Sequence, residues 1–170
     1  INAITGAAAN IAAQDAIEII GDRGRNPLPF KTDKHLVAIL LKPFETAIDP
    51  PEQPLAAALG ERFRHTQYMQ LGPSAGADSY QAASEMARDT EQLLIAMIVR
   101  PAAWHAFGLL PQQKEFVRQI TRARNDVVLA SLGVPYALQD YPEAALRICT
   151  YSDVPVSQDA LAAFLVAGSE

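Results

Sequence analysis

A chain of 170 residues with 49% hydrophobic and 19% charged residues has the size and composition of one globular domain with a single core. A net charge of −5 with dispersed Lys and Arg residues argues against a nucleic-acid partner and against an anionic membrane surface. No apolar run is long enough to predict a transmembrane helix, and the N-terminus lacks the basic leader of an intact signal peptide, so the compartment stays open.

Helical and strand-like segments alternate along the chain. Apolar spacing and helix-start residues predict helices over 7–19, 52–65, 79–92, 111–124 and 156–168. Ser79 and Ser157 are predicted to cap the third and fifth of these, and Pro111 occupies a first helical position. Short apolar runs predict strands over 35–41, 66–71, 93–99, 126–132 and 145–151.

Most of these strands are continuously apolar, which is typical of parallel strands covered on both faces. Together with the alternating helices, they predict an α/β fold. We expect a three-layer α/β/α sandwich with a mainly parallel sheet of five to six strands, joined by right-handed crossovers. The pattern leaves the strand order open, and a flavodoxin-like order is the hypothesis.

Ligands of such sheets meet the loops after the carboxyl ends of the strands, so a binding or catalytic site is expected in those loops. The loop "GPSAGAD" after the second strand has two glycines but neither phosphate-binding signature, and it is interpreted as a connection. Lys42 and Arg100 follow the first and third strands, where a response regulator would carry acids, so that class of protein is excluded. The later acids Asp140, Glu143 and Asp153 are interpreted as solvated loop residues.

The nucleophile candidates are also interpreted as structural. Ser131 in "LASLG" lacks the first glycine of a nucleophile elbow, and Cys149 lies inside a predicted strand; both are expected in the core. The three histidines lack metal-ligand spacing, and only His105, beside Trp104 in a loop, is retained as a candidate. The residues therefore predict no catalytic group, no metal and no cofactor. A binding module for a nucleotide or small anion remains an alternative.

The C-terminal third nevertheless carries a family pattern. In "VVLASLGVPYALQDYPEAALRICTYSDVPVSQDALAAFLVAG" a strand leads to a Pro-Tyr pair and a D-x-P segment, and a second strand ends in Tyr before a Ser-x-x-Ala-Leu helix and Gly. Further upstream, a helix and a loop ending in Leu-Pro occur in "IAAQDAIEIIGDRGRNPLPF". In "IVRPAAWHAFGLLPQQKEFVRQI" an Arg follows a strand and Gln residues open the next helix. This order resembles the second, C-terminal domain of glycoside hydrolase family 3, especially its bacterial β-N-acetylhexosaminidase-like branch.

The resemblance implies one domain over 1–170, with an N-terminal helix and linker loop over 1–34 and the sandwich over 35–170. It implies an accessory domain of a β-N-acetylhexosaminidase or β-glucosidase, packed against a catalytic (β/α)8 barrel that this chain does not contain. The chain alone is then not catalytic. A carbohydrate ligand, and self-association through the barrel-facing patch, are further expectations. Candidate sugar- or barrel-facing residues are Arg100, Tyr136, Asp153 and His105.

Overall fold

The computed structural model describes residues 2–45, 53–100 and 108–168. The helices are α1 (Asn2–Asp15), α2 (Pro54–Arg62), α3 (Ala77–Asp89), α4 (Pro111–Ala123) and α5 (Pro155–Ala167). The strands are β1 (Glu18–Asp22), β2 (His35–Leu41), β3 (His65–Leu71), β4 (Gln92–Val99), β5 (Val128–Gly133) and β6 (Leu146–Cys149). A 3-10 helix covers Pro135–Asp140.

The strands form one mixed sheet in the order β1-β6-β5-β4-β2-β3. Strand β1 is antiparallel to β6, and all other neighbours are parallel. The parallel strands thus have the flavodoxin-like order, with β2 and β4 adjacent at the point where the order reverses. The predicted fold class, a mainly parallel α/β sheet of five to six strands, is confirmed.

Alternate residues of each central strand face opposite helical layers. Along β2, Val37, Ile39 and Leu41 join the core beneath α3 and α4, whereas Leu36 and Leu40 join the core beneath α2 and α5. Because both faces are covered, all of these side chains are buried, and the strand reads as an unbroken apolar run. Because β2 to β6 run parallel, their carboxyl ends lie at one edge of the sheet, which we call the carboxyl edge.

The N-terminal segment departs from the prediction of a single helix over residues 7–19. Helix α1 ends at Asp15, and Glu18–Asp22 forms a strand in which Glu18 lies opposite Cys149 and Asp22 opposite Leu146. The helix prediction is wrong for residues 16–19. Their isoleucines suit a strand as well as a helix, and the otherwise open edge of β6 supplies the hydrogen-bond partners for the extended form.

Both predicted serine caps are also wrong, because the helices begin earlier than expected. Gly76 is the N-cap of α3 and Val154 that of α5, so Ser79 and Ser157 lie inside the first turns. Pro155 occupies the first turn of α5, where its fixed backbone angle suits a helix start. The prediction for Pro111 is confirmed, since it opens α4.

Candidate functional site

Two candidates predicted from sequence meet at the carboxyl edge as an ion pair. Arg100 directly follows β4, and Asp153 lies between β6 and α5. The Nε of Arg100 donates to Oδ2 of Asp153 at 2.9 Å, and Nη2 contacts the same oxygen. Strand β5 lies between β4 and β6 in the sheet, so the ion pair reaches across the end of β5. The Arg100 side chain is 52% exposed and that of Asp153 is 18% exposed, so solvent screens the pair only partly.

Two further contacts hold this ion pair in place. The Arg100 guanidinium lies 5.1 Å from the centroid of the Phe44 ring, which is within the range of a cation–π interaction. The amide nitrogen of Gln158, in the first turns of α5, donates to the backbone carbonyl of Asp153 at 2.7 Å. The charged groups are therefore positioned by the loop after β2 and by the start of α5.

Tyr136 lies at the same edge but outside this ion pair. It belongs to the 3-10 helix after β5 and is 72% exposed. Tyr136 and Arg100 both line a cavity of about 360 Å³, so two of the candidates share a concave surface. The apolar residues around this cavity include Val99, Leu109, Val134, Ala137 and Tyr141, and the polar ones Lys114 and Asp140. An apolar floor with a few polar groups at its margin is typical of a small-molecule site.

On the other face of the sheet, Arg100 and Asp153 line a second cavity of about 230 Å³. Lys42 at the end of β2 and Gln158 of α5 also line it, as does Tyr68, whose pKa is raised by burial. Arg100 therefore borders both cavities. The fourth candidate, His105, lies outside the described residues.

A glycine brings the ends of β4 and β5 together. Gly133 has φ 148°, and a Cβ added there would lie 1.9 Å from the carbonyl oxygen of Val99. The next amide, Val134 N–H, donates to that same oxygen at 3.1 Å. The hydroxyl of Ser131 donates to the carbonyl of Val134 at 2.7 Å, which closes the turn before Tyr136. The turn chemistry of "SLGV" thus places Tyr136 at the edge.

Gln113, which sequence reasoning missed, joins three elements beneath the site. Its buried Nε2 donates to the carbonyls of Lys42 at 3.1 Å and Leu71 at 3.0 Å, where β2 and β3 end. Its Oε1 accepts from the Leu110 amide at 3.0 Å at the start of α4. The available signal was its place in "LPQQ", because a glutamine three residues after a helix N-cap is typical of a capping box.

Tyr151 is the second residue that was missed as a site component. It follows β6 with φ 58°, in the left-handed region that large side chains rarely adopt. Its hydroxyl donates to the Glu18 carboxylate, and this hydrogen bond is the main cause that raises the pKa of Tyr151 to about 12. The sequence showed only a strand ending in tyrosine, and no local pattern predicts a left-handed tyrosine.

The predicted core roles of Ser131 and Cys149 are confirmed. Ser131 is fully buried, and its hydroxyl is engaged with Val134. Cys149 is fully buried, its thiol contacts the Gly133 carbonyl at 3.3 Å, and burial raises its pKa, so the reactive thiolate is disfavoured.

The described residues carry no group of three His, Cys, Asp or Glu side chains suited to a metal ion. Every helix in the described part of the chain is too short or too polar to span a bilayer. Within the part of the chain that the structure describes, the carboxyl edge offers an ion pair, exposed aromatic rings and two cavities. These groups are suited to contact a ligand or a partner.

Comparison with solved structures identifies enzymes that share this fold. The chain matches a glycoside hydrolase family 3 β-N-acetylglucosaminidase from Paenibacillus sp. with a TM-score of 0.74 at 15% identity, over 93% of this chain and 29% of that one. It matches a β-glucosidase from Listeria innocua with a TM-score of 0.73 at 12% identity, over 95% of this chain and 25% of that one. A fungal multi-domain family 3 β-N-acetylglucosaminidase gives 0.70 at 15% identity, over 93% and 17%.

No protein-family model and no curated protein matches the sequence. The identities to the solved enzymes are low, so the likeness concerns the fold. The chain spans about a quarter or less of the length of two of these enzymes and 29% of the third. The resemblance predicted from the sequence is thereby confirmed at the level of the fold: this chain has the fold of a segment of family 3 glycoside hydrolases.

Proposed function

We propose that this chain is the C-terminal accessory domain of a family 3 glycoside hydrolase, of β-N-acetylhexosaminidase or β-glucosidase type. In this role it packs against a catalytic (β/α)8 barrel and lines the sugar site. The observation that carries the proposal is the extent of the match. At least 93% of this chain corresponds to 17–29% of three such enzymes, which leaves most of their length for other domains.

The carboxyl edge is the surface that we propose faces the barrel or the sugar. Arg100, Tyr136 and Asp153 converge there, and the half-exposed guanidinium and the exposed phenol supply a charged donor and an aromatic face. His105 is included because it follows Arg100 closely in the sequence. The partner residues and the sugar then complete a site of which this edge forms one wall.

The domain organisation supports the same arrangement. We propose that residues 1–170 form one domain, in which 1–34 leads from the barrel into the sandwich of 35–170 and contributes β1 to its sheet. Helix α1 packs against α5 on the outside of the sandwich, and its residues 5–12 are exposed. An apolar helix such as "GAAANIAA", largely exposed to solvent, is suited to contact a neighbouring domain.

A binding site for a nucleotide or small anion at the switch point is the alternative. Lys42 and Arg100 follow the adjacent strands β2 and β4, which is where such ligands bind in doubly wound sheets. However, Asp153 already supplies a carboxylate to Arg100, and the same carboxylate would repel an incoming anion. The charge balance of the edge therefore favours the accessory-domain proposal.

Association in trans tests the proposal. The chain and the (β/α)8 barrel encoded beside it are expressed as separate polypeptides, and their binding is measured by sedimentation velocity. We expect a complex that Tyr136→Arg weakens, because the new charge enters the contact surface. Ala123→Arg, an exposed position at the end of α4, is the matched control and leaves binding unchanged.

Without the barrel, the same edge is expected to support weak self-association, which rises with concentration and falls in Tyr136→Arg. The proposal fails if no barrel is encoded with the chain. It also fails if the two polypeptides remain separate, or if both arginine variants behave alike.

A further inference from the structure

The two outermost strands of the sheet differ in how they are protected. Strands β1 and β3 stand at the two ends of the strand order, so each has a neighbour on one side only among the described strands. An open strand presents unpaired N–H and C=O groups and is a template for another strand, unless charged residues, prolines or bulges prevent the pairing. Strand β1 is protected in this way, since it carries Glu18 and Asp22 and its register shifts between Ile19 and Gly21.

Strand β3 has none of these protective features. The segment "HTQYMQL" contains no Lys, Arg, Asp, Glu or Pro, and its pairing with β2 continues without a bulge from His65 to Leu71. Gln67 and Gln70 are exposed and the two residues between them are half-buried, so the helical layers leave the strand accessible. We call this open side of β3 the lateral edge. It follows the length of one strand, whereas the carboxyl edge lies at the ends of five.

The hydrogen bonds to β2 show which backbone groups of β3 point outward. The Leu71 carbonyl accepts from the Lys42 amide at 3.0 Å, so the backbone groups of Leu71 point towards β2. Along a strand, the N–H and C=O groups of successive residues point to opposite sides in turn. The backbone groups of Thr66, Tyr68 and Gln70 therefore point away from the sheet, and these residues are evenly spaced about Tyr68.

We propose that two copies of this chain pair through their lateral edges, antiparallel and about a two-fold axis at Tyr68, so that their six-stranded sheets become one. Tyr68 then lies opposite Tyr68 of the second copy, and Thr66 lies opposite Gln70. The outward backbone groups meet in hydrogen-bonded pairs that exchange two bonds each, about six bonds in all. This inference does not depend on the proposed function, because the lateral edge is not the surface proposed to face the barrel.

The side chains of β3 also favour a second copy as the partner. Two-fold pairing places identical charges near each other in a charged strand, whereas β3 has no formal charge with His65 neutral. On the face covered by α2, the two Tyr68 rings form an aromatic cross-strand pair, which stabilises paired strands. On the other face Gln67 lies opposite Met69. Moving the axis by one residue would leave Thr66 or Gln70 unpaired, so the proposed register satisfies the most backbone groups.

The experiment is sedimentation velocity of the unaltered 170-residue chain and of Tyr136→Arg over a series of concentrations. Tyr136→Arg removes the self-association expected at the carboxyl edge and leaves the lateral edge unchanged. We expect this variant to retain a monomer–dimer equilibrium with a dissociation constant on the order of 100 µM, because the contact of one strand is small.

Two substitutions of one residue, each made in Tyr136→Arg, test the outward amides. Gln70→Pro removes an outward N–H, and proline is tolerated in an edge strand where that group faces solvent. We expect it to weaken the dimer by at least about tenfold and to leave the unfolding temperature nearly unchanged. Gln70→Ala removes the same side chain but keeps the amide, so its dimer should match that of Tyr136→Arg within about twofold.

Cross-linking tests the register, and it decides the question if Gln70→Pro fails to fold. Hydrogen-bonded pairs of antiparallel strands have Cα atoms about 5.5 Å apart, within the range of a disulfide. Tyr68→Cys is therefore expected to form a disulfide-linked dimer in air at least about tenfold faster than Gln81→Cys, an exposed control on α3. The native Cys149 is fully buried and does not interfere.

The inference is overturned if Tyr136→Arg stays monomeric at every concentration, if Gln70→Pro and Gln70→Ala dimerise equally, or if the two cysteine variants cross-link at the same rate. A monomer whose Thr66, Tyr68 and Gln70 amides become protected from hydrogen exchange when the barrel is added would place the lateral edge in the domain contact. That result would contradict this inference and leave the proposed function standing.

Discussion

At the scale of single residues, Gly133 determines how closely β4 and β5 approach. Gly133→Ala would bring its methyl group against the Val99 carbonyl, 1.9 Å away, in a backbone conformation that alanine disfavours. We expect the free energy of unfolding to fall by about 3 kcal/mol, measured by urea denaturation.

Gly60→Ala is the matched control for this substitution. Gly60 lies within α2, and a Cβ added there would meet nothing within 4 Å. Because glycine weakens a helix interior, we expect this variant to be more stable by about 0.5–1 kcal/mol. Equal effects of the two substitutions would contradict the role given to Gly133.

Asp126 makes stability depend on pH at the opposite edge of the sheet. Arg124 donates from Nε and Nη2 to the two carboxylate oxygens of Asp126 at 2.9 and 2.7 Å, and from Nη1 to the carbonyls of Ala87 and Thr90. The Arg124 hydrogen bonds hold the pKa of Asp126 below its usual 3.8. Because folding lowers this pKa, the stabilisation is complete above pH 3.8 and is lost as the pH falls through the folded-state value.

We therefore expect Asp126→Asn to be less stable than the unaltered chain at neutral pH. The difference in unfolding free energy between the two should shrink as the pH falls below 3.8, as followed by urea denaturation at a series of pH values. A difference that stays constant down to the lowest pH would show that the carboxylate charge contributes nothing.

At the scale of elements, Gln113 joins the start of α4 to the ends of β2 and β3. Gln113→Ala leaves the buried Leu71 carbonyl with one hydrogen bond fewer and removes those to Lys42 and Leu110. Unsatisfied buried polar groups are costly, so we expect a loss of about 2–3 kcal/mol in unfolding free energy.

Gln112→Ala, one residue earlier and exposed, is the control and should change stability by less than about 0.5 kcal/mol. Circular dichroism during denaturation measures both variants. If the two substitutions cost the same, the three hydrogen bonds of Gln113 do not hold these elements together.

The central strands could be predicted from the sequence because their signals are local. Burial on both faces leaves an apolar run, and residues 35–41 form β2 with the predicted bounds. Strand β1 could not be predicted in this way, since its extended form depends on pairing with β6 far along the chain. The helix starts at Gly76 and Val154 were missed because neither N-cap makes a side-chain hydrogen bond.

The location of the site at the carboxyl edge could be predicted from the sequence, but the contacts between its residues could not. Because parallel strands end at one edge, the sequence alone predicts Arg100, Tyr136 and Asp153 at that edge. The ion pair between Arg100 and Asp153 depends on the strand order, which places β5 between their strands. The left-handed backbone of Tyr151 and its bond to Glu18 arise from tertiary structure, so no sequence pattern indicates them.

At the scale of the whole molecule, the sandwich is covered on both faces while its carboxyl edge stays accessible. The helices that flank the sheet bury the two cores, and the exposed Tyr136 and Tyr151, the ion pair and the 360 Å³ cavity lie at the ends of the strands. The fold persists at 12–15% identity to enzymes of which it forms a small part. A surface of this kind suits a domain that completes a neighbouring site.

The most direct test of this account is hydrolysis of an aryl N-acetyl-β-glucosaminide by the purified chain. The reaction is followed with the unaltered chain and with Asp140→Asn and Asp153→Asn, which remove the carboxylates of the carboxyl edge. An accessory domain without its barrel should show no turnover above the rate without protein in any of the three samples. Turnover by the unaltered chain that either substitution abolishes would contradict the account and make this chain an enzyme in its own right.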